Sequence, residues 1–290
     1  MIAVNDGSWT PVRKDFVEPG TRCRQQAGRG RHHGFGNGQA FILRDGQGHE
    51  YPFGEACARA VLAEPDLLYL VPDYTERDAG QPVPEATAPD NDEFEATGPA
   101  APRARGAAGG GRQSKASDAA LRRTAAIRYL VLRMEKVASV PRVQPTVRFP
   151  ALEAVYQSYL ETGELPDAQV KRILAIERSA TTPPKLKTIN LLDVYTAHVK
   201  LERVIQESNR VEQRRFLRSI HDWLARHLVL SAAQIAAAGI QMHPHAFRSL
   251  LLREAVPADA TKGEKDGKGA KGGKADMAAK GENAAKGGKG

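Results

Sequence analysis

The spacing of apolar residues divides the chain into a short N-terminal part with β-type patterning and a longer C-terminal part with helical patterning. Residues 39–45 (QAFILRD) form a short β-type run, turn chemistry follows at 45–48, and residues 49–54 return with alternating character. This pattern predicts a β-hairpin. The good helix formers of 55–64 predict a helix after it, and residues 66–72 are long enough to add one more strand.

From residue 117 to residue 254, apolar residues recur at spacings of three to four, which predicts a nearly all-helical region. Prolines interrupt this pattern in residues 139–149 and again at 181–184, so we expect a loop or an extended connection at each place. Four predicted helices begin near Ser117, Pro150, Pro166 and Thr188. A further helix follows a bend near Ser208, and a last pair of helices follows that one.

One predicted helix carries a short heptad pattern that allows two interpretations. The a and d positions would be Val194, Ala197, Leu201, Val204, Ser208 and Val211. Fewer than three heptads are typical of packing inside a helical bundle, but the same stripe is also suited to the seam of a homodimer. Both interpretations stay open from the sequence.

The composition completes a four-part organisation of α+β class. Residues 1–75 are predicted to form a small β-hairpin-plus-helix module, and residues 116–255 a mostly α-helical bundle domain. Residues 76–115 contain many Pro, Gly and Ala and one Phe, so we expect a disordered linker. Residues 256–290 repeat Lys between Gly and Ala, which predicts a disordered basic tail.

The charge is unevenly distributed along the chain. The net charge is +8, and the excess lies C-terminal to residue 100, because residues 116–255 hold 21 basic against 13 acidic groups. Such asymmetry is typical of a protein with an anionic partner, commonly nucleic acid. A soluble basic protein from a GC-rich genome, in which Arg and Ala are abundant, has the same charge balance. The absence of a long apolar run or a signal-like N-terminus predicts no membrane partner, and two cysteines favour a reducing, cytoplasmic setting.

A cysteine-containing motif in the N-terminal module bears on metal binding. The hairpin followed by Gly54-Glu-Ala-Cys57 and a helix resembles small zinc modules of the treble-clef and zinc-ribbon kind, in residues 23–64. In those families a hairpin and the first turn of a helix supply the metal ligands, which here implies a site made of Cys23, His33 (or His32), His49 and Cys57. The family's upstream CxxC pair is missing, since only Cys23 is present. Without zinc, Cys57 would be a small buried residue and Cys23 a free thiol.

Arginines and histidines near the C-terminus suggest a surface for phosphates. One predicted helix has an apolar face made of Phe216, Leu217, Ile220, Trp223, Leu224 and Leu228. The arginines on the opposite side are Arg210, Arg214, Arg215, Arg218 and Arg226. Arg suits bidentate phosphate contact, but a solvated helix face has the same pattern. Residues 231–253 resemble a helix-turn-helix, which implies a second helix from Pro244 that presents His243, His245 and Arg248 to base edges. An ordinary helical hairpin would fit as well.

These observations favour a non-enzymatic nucleic-acid-binding protein. DNA is preferred over RNA only because of the helix-turn-helix resemblance. The alternative is a protein-interaction adaptor, whose helical bundle and acidic linker dock partner proteins. An enzyme is the third hypothesis, because HExxH, GxSxG and Walker A patterns are all absent from the sequence. No cofactor other than zinc is expected.

Overall fold

The N-terminal part of the chain folds into two small antiparallel sheets and a short helix. The computed structural model describes residues 9–27, 31–77, 110–248 and 250–251. One sheet has the strand order β1-β4-β5, and the other pairs β2 with β3. The strands are β1 (Thr10–Phe16), β2 (Arg22–Ala27), β3 (Arg31–Gly34), β4 (Gln39–Arg44) and β5 (Glu50–Phe53), and helix α1 (Glu55–Val61) follows.

The predicted hairpin is the β4–β5 pair, with Phe41 opposite Phe53 and Arg44 opposite Glu50. The turn is held by Asp45, whose Oδ1 accepts hydrogen bonds from the backbone N–H groups of Gln47 and His49, each at 2.9 Å. Such Asx bonds replace a backbone turn and suit the short connection. The hairpin buries Leu43 and Phe53 against Ala58 and Leu62, in a small core next to α1.

The C-terminal part consists of helices whose ends follow local rules. Pro150 occupies the first turn of α3, where its missing N–H costs nothing, and Gly163 ends that helix with φ +71°. Ser231 caps α7 through a capping box with Gln234. No helix in the described ranges is long and apolar enough to cross a membrane. The helices are α2 (Gly110–Val131), α3 (Pro150–Thr162), α4 (Asp167–Arg178), α5 (Thr188–Glu207), α6 (Val211–His227) and α7 (Ala232–Ala238), and a π-helical turn, Leu132–Lys136, continues α2.

The N-terminal sheet and the helices belong to one compact unit, Met1–Arg253. Tyr74 lies inside the main helical core, and Phe16 makes an edge-to-face contact with Tyr195 at 5.8 Å between ring centroids. Buried Asp15 accepts a hydrogen bond from the Tyr195 hydroxyl at 2.9 Å and pairs with Lys136 Nζ at 2.8 Å. Apolar and polar contacts therefore fasten β1 to the helical part.

The α+β class predicted from the sequence is confirmed, but the N-terminal module has more strands than the predicted hairpin. Residues 66–72 were predicted as a strand, and this is wrong, because Pro65–Tyr69 is a 3-10 helix with Leu68 buried beneath it. Just after this segment, Asp73 forms an isolated bridge with Lys14 of β1. Pro65 at the start of the turn has the fixed φ that a helical turn needs.

Two other predicted segments have different boundaries in the structure. Helix α2 begins at Gly110, so the last residues of the predicted 76–115 linker are helical. Residues 78–109 and the tail of 256–290 lie outside the described residues, and their predicted disorder stays a prediction. In the heptad, Val194, Ala197 and Leu201 are buried in the core of the same chain. Intramolecular packing therefore accounts for the first part of this stripe, whereas its last member, Val211, is exposed at the start of α6. A homodimer stays a prediction.

The predicted second helix of the helix-turn-helix does not begin at Pro244. After α7 the chain runs through coil and turns up to Phe247, and helical residues start at Arg248. Phe247 is buried with φ +60°, and its N–H donates to Asp193 Oδ2 of α5 at 3.1 Å. A residue in the left-handed region cannot continue a helix, so this anchor replaces the first turn that the prediction required. The connection of nine residues, 239–247, is longer than the three- to four-residue turn of the motif.

Candidate functional site

Helix α6 places its arginines on the side that faces away from the core. Leu217, Ile220 and Leu224 are buried, as the predicted apolar face requires. Arg215, Arg218, Asp222 and Arg226 follow at spacings of three and four residues, so they form one row on the helix surface. The row is about 16 Å long at 1.5 Å per residue. Arg210, at the N-cap, and half-buried Arg214 flank its first turn.

The arginine row is not neutralised by carboxylates in the described part of the chain. Asp222, the acidic member of the row, pairs with Arg142 at 2.8 Å, and Arg226 Nε donates to the Asp222 carbonyl oxygen at 3.1 Å. Arginines elsewhere, such as Arg13, Arg44 and Arg59, pair with Glu side chains. No described carboxylate pairs with the four remaining members of the group, which are Arg210, Arg214, Arg215 and Arg218.

Two exposed aromatic residues lie beside the arginine row, and the sequence analysis did not find them. Phe216 and Trp223 were assigned to the buried face, but 47% of Phe216 and 42% of Trp223 are accessible to solvent. The Trp223 ring stacks on His227 with 3.9 Å between centroids and an interplanar angle of 27°. The spacing of the residues contained the signal for this exposure. Phe216 and Trp223 are seven positions apart and share one side of the helix, and Leu217 and Leu224 share a different side.

The histidines predicted for base contact lie in the turn after α7 rather than on a helix. His245 contributes its carbonyl oxygen to Arg77 Nη1 at 2.5 Å, and its N–H donates to His243 Nδ1 at 3.1 Å. Arg77 also pairs with Asp193 at 2.9 Å, so this turn is tied to the N-terminal part and to α5. Arg248 is exposed and approaches His245 Nδ1 at 3.4 Å. The structure therefore holds His243 and His245 in a turn, and not on the recognition helix that the motif requires.

Three of the four predicted metal ligands come together in the N-terminal module. The ligand atoms of Cys23, His33 and Cys57 all lie within 4.8 Å of one another, and Cys57 Sγ is 4.0 Å from His33 Nε2. Burial and the neighbouring Cys23 thiol raise the pKa of Cys57. His49 is not part of the cluster, because it lies in the β4–β5 turn and pairs with Asp45 at 3.5 Å. The structure therefore brings together three of the four predicted ligands and does not place His49 with them.

A second group of potential ligands joins α5 to α6. The ligand atoms of His198, Glu202 and His221 lie within 4.8 Å of one another. The two rings meet directly, with His198 Nδ1 2.7 Å from His221 Nε2. Two nitrogens on one tetrahedral zinc ion lie about 3.3 Å apart, so the shorter distance indicates a hydrogen bond between the rings. Burial, with a smaller contribution from His221, lowers the pKa of His198 to about 4, which keeps this ring neutral at pH 7.

Comparison of the chain with protein-family models, with curated proteins and with solved structures finds no match. The geometry of its own side chains is therefore the basis for inferring its function.

Proposed function

We propose that the protein binds nucleic acid through the arginine row of α6. The observation that carries the proposal is a set of exposed arginines on one helix side without carboxylate partners in the described residues. Guanidinium groups form paired hydrogen bonds with phosphate oxygens, and neutralising phosphates releases condensed counterions. Arginines without a carboxylate partner are suited to this role, since Arg215 and Arg218 need not break an ion pair with a described residue before they contact phosphate.

The neighbouring aromatic residues favour single-stranded over duplex nucleic acid. Bases of a single strand stack on exposed rings, and each such contact contributes about 1–3 kcal/mol. Phe216 and Trp223 offer such rings next to Arg215 and Arg226. The sequence-based preference for DNA over RNA depended on the helix-turn-helix, whose second helix does not form as predicted. The proposal is therefore single-stranded nucleic acid of either sugar type.

Protein docking is the second candidate function, and the same exposed rings favour it. Aromatic residues and Arg are enriched at protein interfaces, where they supply much of the binding energy. Phe216 and Trp223 would then contact an apolar partner surface, and the arginines would form its rim. Under this alternative the wild-type protein itself does not bind nucleic acid. Removing the arginines would then change only the rate at which it associates with a protein partner.

The decisive variant combines Arg214→Ala, Arg215→Ala and Arg218→Ala in the full-length protein. Its matched control combines Lys171→Ala, Arg172→Ala and Arg178→Ala, which removes the same charge from α4, where all three side chains are exposed. Fluorescence anisotropy over a salt series, on single-stranded DNA, RNA and duplex DNA, gives the slope of log affinity against log salt. This slope is negative, and we expect the α6 variant to reduce its magnitude by about 2 on single strands, at about 0.7 per lost phosphate contact.

The outcomes separate the two candidates. Selective weakening by the α6 variant supports the arginine row as the binding surface. Equal weakening by both variants would show that only net charge matters, and absence of binding by the wild type at low salt would favour protein docking.

A cytoplasmic location also belongs to the proposal. Cys23 and Cys57 are adjacent free thiols, and a reducing compartment keeps such thiols reduced.

A further inference from the structure

Three separate elements bring Cys23, His33 and Cys57 to one point. Cys23 lies on β2 and His33 on β3, so the two-stranded sheet brings them close, and Cys57 comes from α1. Cys23 is buried, whereas His33 and Cys57 are partly accessible. A cluster of two thiols and an imidazole drawn from distant positions in the sequence needs an explanation beyond core packing, because a buried Cys alone would be satisfied by apolar neighbours.

The distances in this cluster fit a small tetrahedral metal site. With Zn–S bonds of about 2.3 Å and Zn–N bonds of about 2.05 Å, tetrahedral ligands lie about 3.6 Å (S to N) and about 3.8 Å (S to S) apart. The Cys57 Sγ to His33 Nε2 distance is 4.0 Å, and no pair of ligand atoms exceeds 4.8 Å. Side-chain shifts of less than about 1 Å would therefore complete the geometry.

We propose that Cys23, His33 and Cys57 bind one zinc ion, with a water molecule as the fourth ligand. Two thiolates and an imidazole form a donor set that suits zinc, whereas calcium and magnesium take oxygen ligands. Within the described residues, the cluster holds three side chains of ligating type. The segment between β2 and β3, residues 28–30, has the sequence Gly-Arg-Gly and adds no ligating side chain. In the proposed site a water molecule takes the fourth position, as it does at open zinc sites with three protein ligands.

The surroundings of the cluster match what a metal site requires. The Gly54 N–H points at Cys23 Sγ over 3.4 Å, a contact that stabilises a thiolate ligand. Gly54 also admits the imidazole, since a Cβ at this position would lie 2.8 Å from His33 Nε2. A cavity of about 270 Å³ borders His33, Gly54 and Glu55, which gives solvent a route to the metal. Gly54 is thus a positioning residue that keeps His33 within reach.

The principal measurement is the metal content of full-length protein, purified and then dialysed against metal-free buffer. We expect one zinc ion per chain, and about 0.1 or less in Cys57→Ser. Gly54→Ala displaces the His33 imidazole without removing a ligand. We therefore expect its zinc affinity to be about 10- to 100-fold weaker, which is the usual effect of losing a residue that supports a metal ligand. His49→Gln is the matched control, since His49 lies in the same module but outside the cluster, and it should keep the full zinc content and affinity.

Cobalt substitution tests the ligand set independently of how well the variants fold. Wild-type protein with Co²⁺ should show thiolate-to-cobalt charge transfer and the intense visible bands of tetrahedral cobalt, and added azide should shift these bands by replacing the water. Wild-type protein with two reduced thiols that binds neither metal would overturn the proposal. Loss of zinc in His49→Gln, or cobalt bands that do not respond to azide, would also contradict it.

Discussion

The histidine pair between α5 and α6 predicts a specific loss of stability in mild acid. His198 Nδ1 and His221 Nε2 are 2.7 Å apart, so one ring must donate and the other accept. Protonating His198 would place a positive charge in a largely buried position beside the second ring. Burial first, and His221 second, lower the pKa of His198 from 6.5 to about 4. Burial also lowers the pKa of His221.

The sign and size follow from the linkage between proton binding and folding. Because the pKa of His198 is lower in the folded than in the unfolded chain, its contribution to stability is full above pH 6.5 and is lost as the pH falls towards 4. With these two pKa values, the free energy of unfolding drops by about 2 kcal/mol at pH 5 and by about 3 kcal/mol below pH 4. The unfolded chain binds the extra proton, which drives the change.

Urea denaturation followed by far-ultraviolet circular dichroism, at pH 7.5 and at pH 5, measures this effect. His198→Gln removes the titrating ring and keeps a hydrogen-bonding group, so this variant should lose about 2 kcal/mol less than wild type between the two pH values. His49→Gln, a change at an exposed histidine, should retain most of the wild-type loss. Equal losses in wild type and His198→Gln would refute the assignment of the pH dependence to this ring.

Two further predictions concern the contacts that hold the fold. Asp15→Asn should lower the free energy of unfolding by about 3 kcal/mol in a urea titration, because it leaves the partly buried Lys136 without its 2.8 Å partner. Arg142→Ala breaks an exposed ion pair and should change the free energy of unfolding by less than about 1 kcal/mol in the same titration. Ser231→Ala removes the cap of α7 and should cost about 1 kcal/mol by thermal denaturation, and an unchanged melting temperature would contradict the capping role.

Local signals in the sequence were sufficient for many of the elements. The turn at Asp45, the proline at position 150, the glycine at 163 and the cap at Ser231 each act within a few residues, and the structure places a hairpin or a helix end at every one of them. These signals were reliable because the side chain or ring that fixes the local conformation is itself part of the motif.

Elements that depend on distant partners were missed. Strand β1 is stabilised by β4, with Phe16 opposite Gln39, and by the contact of Asp15 with Tyr195, which is 180 positions away in the chain. The apolar run at 66–72 was equally compatible with a strand and with a 3-10 turn, and the burial of Leu68 decided between them. No local pattern encodes such choices, since packing against other elements determines them.

The candidate sites show the same division. Periodicity on α6 was enough to predict the arginine row, but not that Phe216 and Trp223 are exposed beside it. The resemblance to small zinc modules suggested Cys23, His33, His49 and Cys57 as ligands, and only the fold shows that His49 lies in the β4–β5 turn outside the cluster. The His198–His221 contact was not foreseen, because it requires the register of α5 against α6.

The measurement that tests the central claim most directly is nucleic-acid binding by a chain that ends at residue 255. Such a chain lacks the Lys-rich tail but keeps the whole compact unit, Met1–Arg253, including the contacts of Asp15 and Tyr74 with the helices. Anisotropy on labelled single-stranded DNA and RNA should show binding that persists without the tail and falls with salt. Loss of all binding together with the tail would contradict the account, because the arginine row of α6 would then hold no strand by itself.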